Sequence, residues 1–478
     1  MLLVRTRNGG GKAVPNIKVT FIGAGSVRYT LKLIGDFCKT PELSDVFVSL
    51  MDIDEERLDA VYNLAKRYND ELGASLKFEK TTDLQKALEG ANFVINTALA
   101  RAKGHEDGYV QYEIMREVGE KHGYYRGIDS QVFNMVSDYY TISNYNHLKM
   151  SLDIAKAVEK YCPDAYLIQT ANPVFEITQL VLRQTNAKII GFCHGFGGAY
   201  ELFETLGLDP KDVDWQVAGV NHGIFLNRFL YKGENAYPLL DRWIEEKSSS
   251  WEPKSPWDTQ LSPAAIDMYR FYGMMPIGDT VRNGSWKYHY NLETKKKWYG
   301  RFGGIDNEVE RPKFYEQLRE IKRKLIEISK DPKIKLTEFW PEEFAKDKLS
   351  GEQHIPFINA ITNGKRVRLF LNILNNGIIK GIPDDVVVEV PVWVDRDGLH
   401  PEKIEPDLTD RIKKFYLLPR IIRMEMALEA FITGDRKVLE EFLIRDPRTR
   451  SYEQVKAVID EILNLPFNEE MKKHYSKA

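Results

Sequence analysis

Cysteine is scarce: Cys38, Cys162 and Cys193 are the three in 478 residues. An odd, sparse set excludes a disulfide scaffold and points to a reducing compartment. Long hydrophobic runs are missing as well. Leu2-Leu3-Val4 ends at Arg5, too short for a signal peptide or a membrane span, and no later window is longer. Neither sign of charge dominates, since the formal net charge is −3. Charges are interspersed, as in Glu55-Glu56-Arg57, and Lys295-Lys296-Lys297 has Glu293 beside it. That leaves no electrostatic footprint for nucleic acid or a membrane surface. Internal repeats and low-complexity segments are absent too. The expectation is a soluble, cytoplasmic protein with a loose extension over residues 1–15.

A hydrophobic content of 43% is enough for real cores, and the length exceeds what one ordinary core uses. Over residues 16–195, short apolar runs alternate with helical patterns. Strands are expected at 17–22, 46–51, 76–79, 93–97, 165–170 and 189–192, with helices at 26–39, 55–72, 83–89, 146–161 and 176–185. This alternation predicts an α/β fold, a Rossmann-like doubly wound sheet. Residues 196–478 change rhythm and read as a large α+β domain. There, 215–231 reads as one strand kinked at Gly223, 310–330 and 409–433 as helices, and 367–373 and 386–394 as strands.

The first strand runs into Gly23-Ala24-Gly25-Ser26 and then a helix. A glycine turn in that setting lets backbone N–H groups and a helix N-terminus meet a pyrophosphate. Arg28 stands where the third glycine of the motif belongs. The second strand ends in Asp52-Ile53-Asp54, which places Asp52 to bind the hydroxyls of an adenosine ribose and favours NAD over NADP. Asp54 suits the N-cap of the helix that follows. In such a sheet the ligand crevice lies at the carboxyl ends of strands, where Asn96-Thr97, Thr170-Ala171-Asn172-Pro173 and Cys193-His194 fall.

Cys193 and His194 follow a buried-strand pattern, and Val220-Asn221-His222 begins 26 residues after His194. A thiolate with an imidazole suits a divalent transition metal; a small buried hydrophobe is the plain alternative for Cys193. Asp138 and Asp279 stand in loop-like stretches, where turn or cap residues are the ordinary finding.

Together these stretches resemble glycoside hydrolase family four, the glycosidases that use NAD and a divalent metal. The resemblance runs from Ile17 to about Pro466 through Phe21–Ser26, Leu50–Asp54, Ala171-Asn172-Pro173, Gly191–Gly195, Gly219–His222, Asn375-Asn376-Gly377 and Val388–Pro391. It is closest to the α-glucosidase and α-glucuronidase branch, and Cys193-His194-Gly195-Phe196 resembles the α-glucuronidase variant. The 6-phospho-sugar branch carries another residue after the cysteine. The resemblance implies NAD and Mn2+ as cofactors and a small glycoside substrate, with homodimers or homotetramers. It further implies that Gly23, Ala24, Gly25, Ser26, Asp52, Asn96 and Thr97 hold NAD and that Cys193 and His222 bind the metal. Asn172 and Asp138 would hold sugar hydroxyls or metal-bound water, His194 would protonate the leaving oxygen, and Asp279 would take the proton at C2. Arg282 is placed either to meet a C6 carboxylate or to form an ion pair. The implied mechanism is one of the exceptions to two-carboxylate glycoside hydrolysis: NAD oxidises C3, C2 loses a proton, the aglycone is eliminated, water adds and the hydride returns. An NAD-dependent 2-hydroxy-acid dehydrogenase and a non-catalytic NAD-binding regulator are the competing readings.

Overall fold

Ile17, Val19, Phe21 and Ile22 are all buried, so the first strand is covered on both faces, as a parallel strand between two helix layers must be. The structure is a computed structural model that describes residues 17–101, 105, 107–126 and 140–476. Strands β1 (Lys18–Ile22), β2 (Phe47–Met51), β3 (Lys77–Thr81), β4 (Phe93–Asn96), β5 (Tyr166–Gln169) and β6 (Lys188–Phe192) pair in parallel. Their order is β3-β2-β1-β4-β5-β6, the doubly wound arrangement with its switch point between β1 and β4. Helix α1 (Val27–Cys38) follows β1, and α2 (Glu55–Glu71) follows β2 with Asp54 as its N-cap, accepting from Arg57 N.

The second half extends the same sheet. It contributes β7 (Val213–Val220), β8 (Gly223–Tyr231), β9 (Glu234–Asn235), β10 (Met275–Ile277), β11 (Val367–Leu374), β12 (Val387–Asp395) and β13 (Gly398–Pro401). β11 pairs antiparallel with β6, and the order continues β12-β7-β8-β10. Thirteen strands thus form one sheet among the described residues. No helix there is long and apolar enough to cross a membrane.

Two expectations change. Residues 215–231 are a hairpin, not one kinked strand. The chain reverses at Asn221-His222, with His222 at φ 56°, where a two-residue turn needs left-handed backbone. The expected helix at 409–433 is helical but irregular: a π-helical stretch Lys413–Leu417 joins Asp410–Ile412 to Leu418–Thr433. Pro419, which has no N–H to give, stands just after that wide turn.

The seam between the parallel and antiparallel halves is tight at Gly191. A Cβ there would lie 2.6 Å from Val174 Cγ1, 2.7 Å from Thr178 Oγ1 and 2.8 Å from Asn372 Cβ. Gly191→Ala should therefore destabilise the protein by about 1–3 kcal/mol through overpacking, seen as an earlier denaturant midpoint. An unchanged midpoint would mean that the seam yields freely.

Candidate active site

At the carboxyl end of β1 the chain turns back against β2. Gly23 N and Ala24 N both donate to Met51 O, at 3.0 and 2.9 Å. Gly23 takes φ +82°, and a Cβ there would lie 2.5 Å from Ala98 Cα. Gly25 N donates to Asp52 Oδ2 at 2.7 Å and Asp54 N to Asp52 Oδ1 at 2.9 Å. Thr97 Oγ1 donates to Ile22 O and Gly23 O, at 3.2 and 3.1 Å. A cavity of about 1080 Å³ opens over this loop, lined by Gly23, Gly25, Ser26, Asp52 and Thr97. The glycine cradle, the start of α1 and the carboxylate at the end of β2 fit a dinucleotide. Ala24 and Asn96 are fully buried behind the lining, and Asn96 is held by Gln169 at 2.8 Å. Arg28 is drawn onto Glu343, at 2.8 Å, and over the Trp340 ring.

A second cavity, of about 480 Å³, shares Ser26, Tyr29, Thr97, Ala171, Asn172, His194 and Trp257 with the first. Three donor side chains converge there. Cys193 follows β6, His222 sits in the β7–β8 turn, and Asp279 opens the short helix Asp279–Arg282 after β10. Ligand-type atoms of the three lie within 4.8 Å of one another. His222 Nε2 is 3.2 Å from Asp279 Oδ2, while His222 Nδ1 is buried with no hydrogen-bond partner. The thiol and imidazole make a donor pair that fits a divalent transition metal, with the Asp279 carboxylate beside them.

Electrostatics follow from burial and pairing. Burial, with Glu389 and Asp279 nearby, pushes the Cys193 thiol well up; a bound cation reverses that by favouring the thiolate. Burial holds His222 down at about 4, hence neutral and able to ligate. Burial opposes ionisation of Asp279, but the Arg282 guanidinium holds its carboxyl well below the usual range. Arg282 donates to Asp279 and, at 2.8 Å, to Asp306, which Arg311 also engages. The Trp257 ring lies 4.9 Å from the Arg282 guanidinium carbon.

His194 faces the cavity with 74% of its side chain accessible, and its Nδ1 is 3.5 Å from Glu352 Oε1. That partner raises the imidazole's pKa, and Glu352 itself, despite burial, is held at about 2 by His194. Tyr29 OH donates to the other Glu352 oxygen at 3.2 Å, and His354 pairs with Thr170 Oγ1 at 2.7 Å. Asn172 lines both cavities. Asp138 lies outside the described residues.

Sequence reading missed Glu352, Trp257 and Glu389. Glu389, on β12, is buried and pushed up to about 7 by that burial. It accepts from Asn221 Nδ2 at 2.8 Å and Asn372 Nδ2 at 3.3 Å, and Asn221 in turn hydrogen-bonds Cys193. The one local signal was polarity inside apolar surroundings: Glu389 interrupts a run of valines, and Glu352-Gln353-His354 precedes a buried helix.

Residues 18–208 match the Family 4 glycosyl hydrolase model, and 217–449 match the model of the Family 4 glycosyl hydrolase C-terminal domain. An α-galactosidase of Bacillus subtilis (strain 168) is 26% identical over 448 residues, 92% of this chain and 95% of that one. An α-galacturonidase of Lachnoclostridium phytofermentans is 24% identical over 481 residues, covering 94% and 96%. The crystal structure of a 6-phospho-α-glucosidase from gut microorganisms, in complex with NAD and Mn2+, superposes with TM-score 0.71 at 16% identity. It covers 95% of this chain and 99% of its own.

Cobalt(II) added to the purified protein should give a sulfur-to-metal charge-transfer band that Cys193→Ser lacks, with at least tenfold weaker metal binding in the variant. An unchanged spectrum and affinity would remove Cys193 from the metal site.

Proposed function

Because the chain belongs to glycosyl hydrolase family 4, we propose that it is an NAD- and Mn2+-dependent α-glycosidase acting on a non-phosphorylated, neutral hexosyl group. The observation that carries the substrate reading is the charge of the smaller cavity. Its lining, among the described residues, contains one guanidinium and no ammonium group: Arg282, already matched by Asp279 and Asp306. Glu201 adds negative charge to the same walls. Apart from His194, which Glu352 matches, a 6-phosphate or a C6 carboxylate placed there would meet no unshared side-chain cation among the described residues, at a cost of several kcal/mol in lost hydration. This favours an α-glucoside-type substrate over the α-glucuronide suggested by Cys193-His194-Gly195-Phe196. Arg282 then serves to hold Asp279.

When bound, NAD supplies a reversible hydride acceptor for sugar C3, and the metal supplies an electrophile for the C2 and C3 oxygens. The chain's own groups do the rest. Asp279, with one oxygen restrained by Arg282, starts ionised and takes the C2 proton. His194, set by Glu352, gives its proton to the glycosidic oxygen as the bond to C1 breaks. Asn172 reaches both cavities from the carboxyl end of β5 and orients sugar hydroxyls between cofactor and metal. In this proposal residues 16–195 serve the dinucleotide and residues 196–478 complete the sugar site. Cytoplasmic location and a homo-oligomeric assembly belong to the same proposal.

Matched 4-nitrophenyl α-glucoside, α-galactoside and α-glucuronide, incubated with NAD, Mn2+ and a thiol, test the reading. A neutral glycoside should be cleaved with at least tenfold higher kcat/KM than the glucuronide, with no net NADH. A preference for the glucuronide would overturn the charge argument. Stoichiometric NADH without nitrophenol would instead point to a dehydrogenase.

A further inference from the structure

The end of β2 carries two acids, and they do different things. Both oxygens of Asp52 accept main-chain N–H groups, from Gly25 at 2.7 Å and Asp54 at 2.9 Å. Asp52 thereby shapes the loop that meets the dinucleotide. Asp54 faces two cations. Its Oδ2 lies 2.9 Å from Arg101 Nη1 and 3.3 Å from Arg57 Nε, while its Oδ1 accepts Arg57 N as the N-cap of α2. Asp54, Arg57 and Arg101 all line the larger cavity beside Asp52 and Ile53. The two arginines come from different elements, α2 and the loop after β4, and both pair with this carboxylate. The stem of Arg57 lies against the pyrophosphate loop, since a Cβ on Gly25 would stand 2.9 Å from Arg57 Cβ.

A pair of guanidinium groups beside the adenosine-ribose position has the chemistry that receives a 2′-phosphate. Here the pair already holds an anion, supplied by the chain. We propose that Asp54 masks a built 2′-phosphate site formed by Arg101 and Arg57, and that this internal anion, together with Asp52, makes the chain select NAD over NADP. The inference rests on the dinucleotide reading of the larger cavity and goes beyond it by naming a second phosphate site and the residue that closes it. An incoming 2′-phosphate must displace Asp54 from Arg101 and lie next to the displaced carboxylate. With the carboxylate removed, Arg101 is released to the ligand.

The test measures binding, not turnover. Dissociation constants for NAD and NADP, and for 5′-AMP and 2′,5′-ADP as adenosine-half probes, are obtained by calorimetry on the full chain. The variants are Asp54→Ser, Asp54→Asn, Arg101→Ala and Asp54→Ser/Arg101→Ala. Serine and asparagine both retain an N-cap acceptor for Arg57 N, so helix α2 keeps its start, and thermal melting checks each variant. The wild type should bind NADP at least tenfold more weakly than NAD. Asp54→Ser and Asp54→Asn should lower the NADP-to-NAD ratio of dissociation constants at least tenfold, with the same shift for 2′,5′-ADP over 5′-AMP. Adding Arg101→Ala should abolish that gain. A ratio within twofold of wild type in both Asp54 variants would overturn the proposal, as would a gain that survives loss of Arg101. If none of the four ligands binds the wild type, the dinucleotide reading itself fails, a result distinct from an unchanged ratio.

Discussion

The buried carboxyl group of Glu389 ties together the parts of the sheet from which the site is built. From β12 it accepts from Asn372 on β11, whose amide also reaches Gly191 O on β6 at 3.3 Å, and from Asn221 in the β7–β8 turn. Asn221 continues the chain to Cys193. One side chain thus holds the carboxyl end of the last parallel strand against the turn that presents His222. An unpartnered buried amide costs about 1–3 kcal/mol, so each asparagine is bound to its orientation. The convergence of Cys193 and His222, the candidate metal ligands, is a consequence of sheet register.

The charges around Arg282 form a matched set. Asp279, Arg282, Asp306 and Arg311 alternate in sign, the last three buried and Asp279 partly so, with the Trp257 ring against the guanidinium groups. A buried ion pair is weak evidence for stability, but breaking one leaves an uncompensated charge worth about 3–5 kcal/mol. The set therefore fixes Asp279 in place and in its ionised form. His194 is matched in the same way by Glu352, yet stays open to the cavity. The first group is locked, as the base proposed for C2 has to be; the second is open to exchange a proton, as the acid proposed for the leaving oxygen has to be.

The parallel half was legible in the sequence because its strands, the polar edge strand β3 excepted, are mainly apolar runs bounded by turns, and because Gly23 and Gly25 mark a loop with no room for a side chain. Cys193 and His222 were legible as residue types at strand ends. What the sequence could not reveal is pairing at long range. The antiparallel strands read as a separate α+β part, yet β11 joins β6 directly. The Asn221-His222 reversal was hidden because its left-handed residue is a histidine, not a glycine. Glu352 lies 158 positions from His194 in the chain and Glu389 is 168 from Asn221, so no local pattern connects either pair. Asp52 was read as a ribose ligand, while its first contacts prove to be with the backbone of the loop it supports.

The central claim is that cleavage proceeds through loss of the C2 proton to Asp279 and not by displacement at C1. It is tested most directly by hydrolysing the preferred α-glycoside in D2O and examining the released sugar by proton NMR. The account predicts deuterium at C2, with C3 keeping its original hydrogen, and neither turnover nor exchange in Asp279→Asn. A released sugar that carries only hydrogen at C2 would contradict it, because the bond to C1 would then have broken without proton removal at C2.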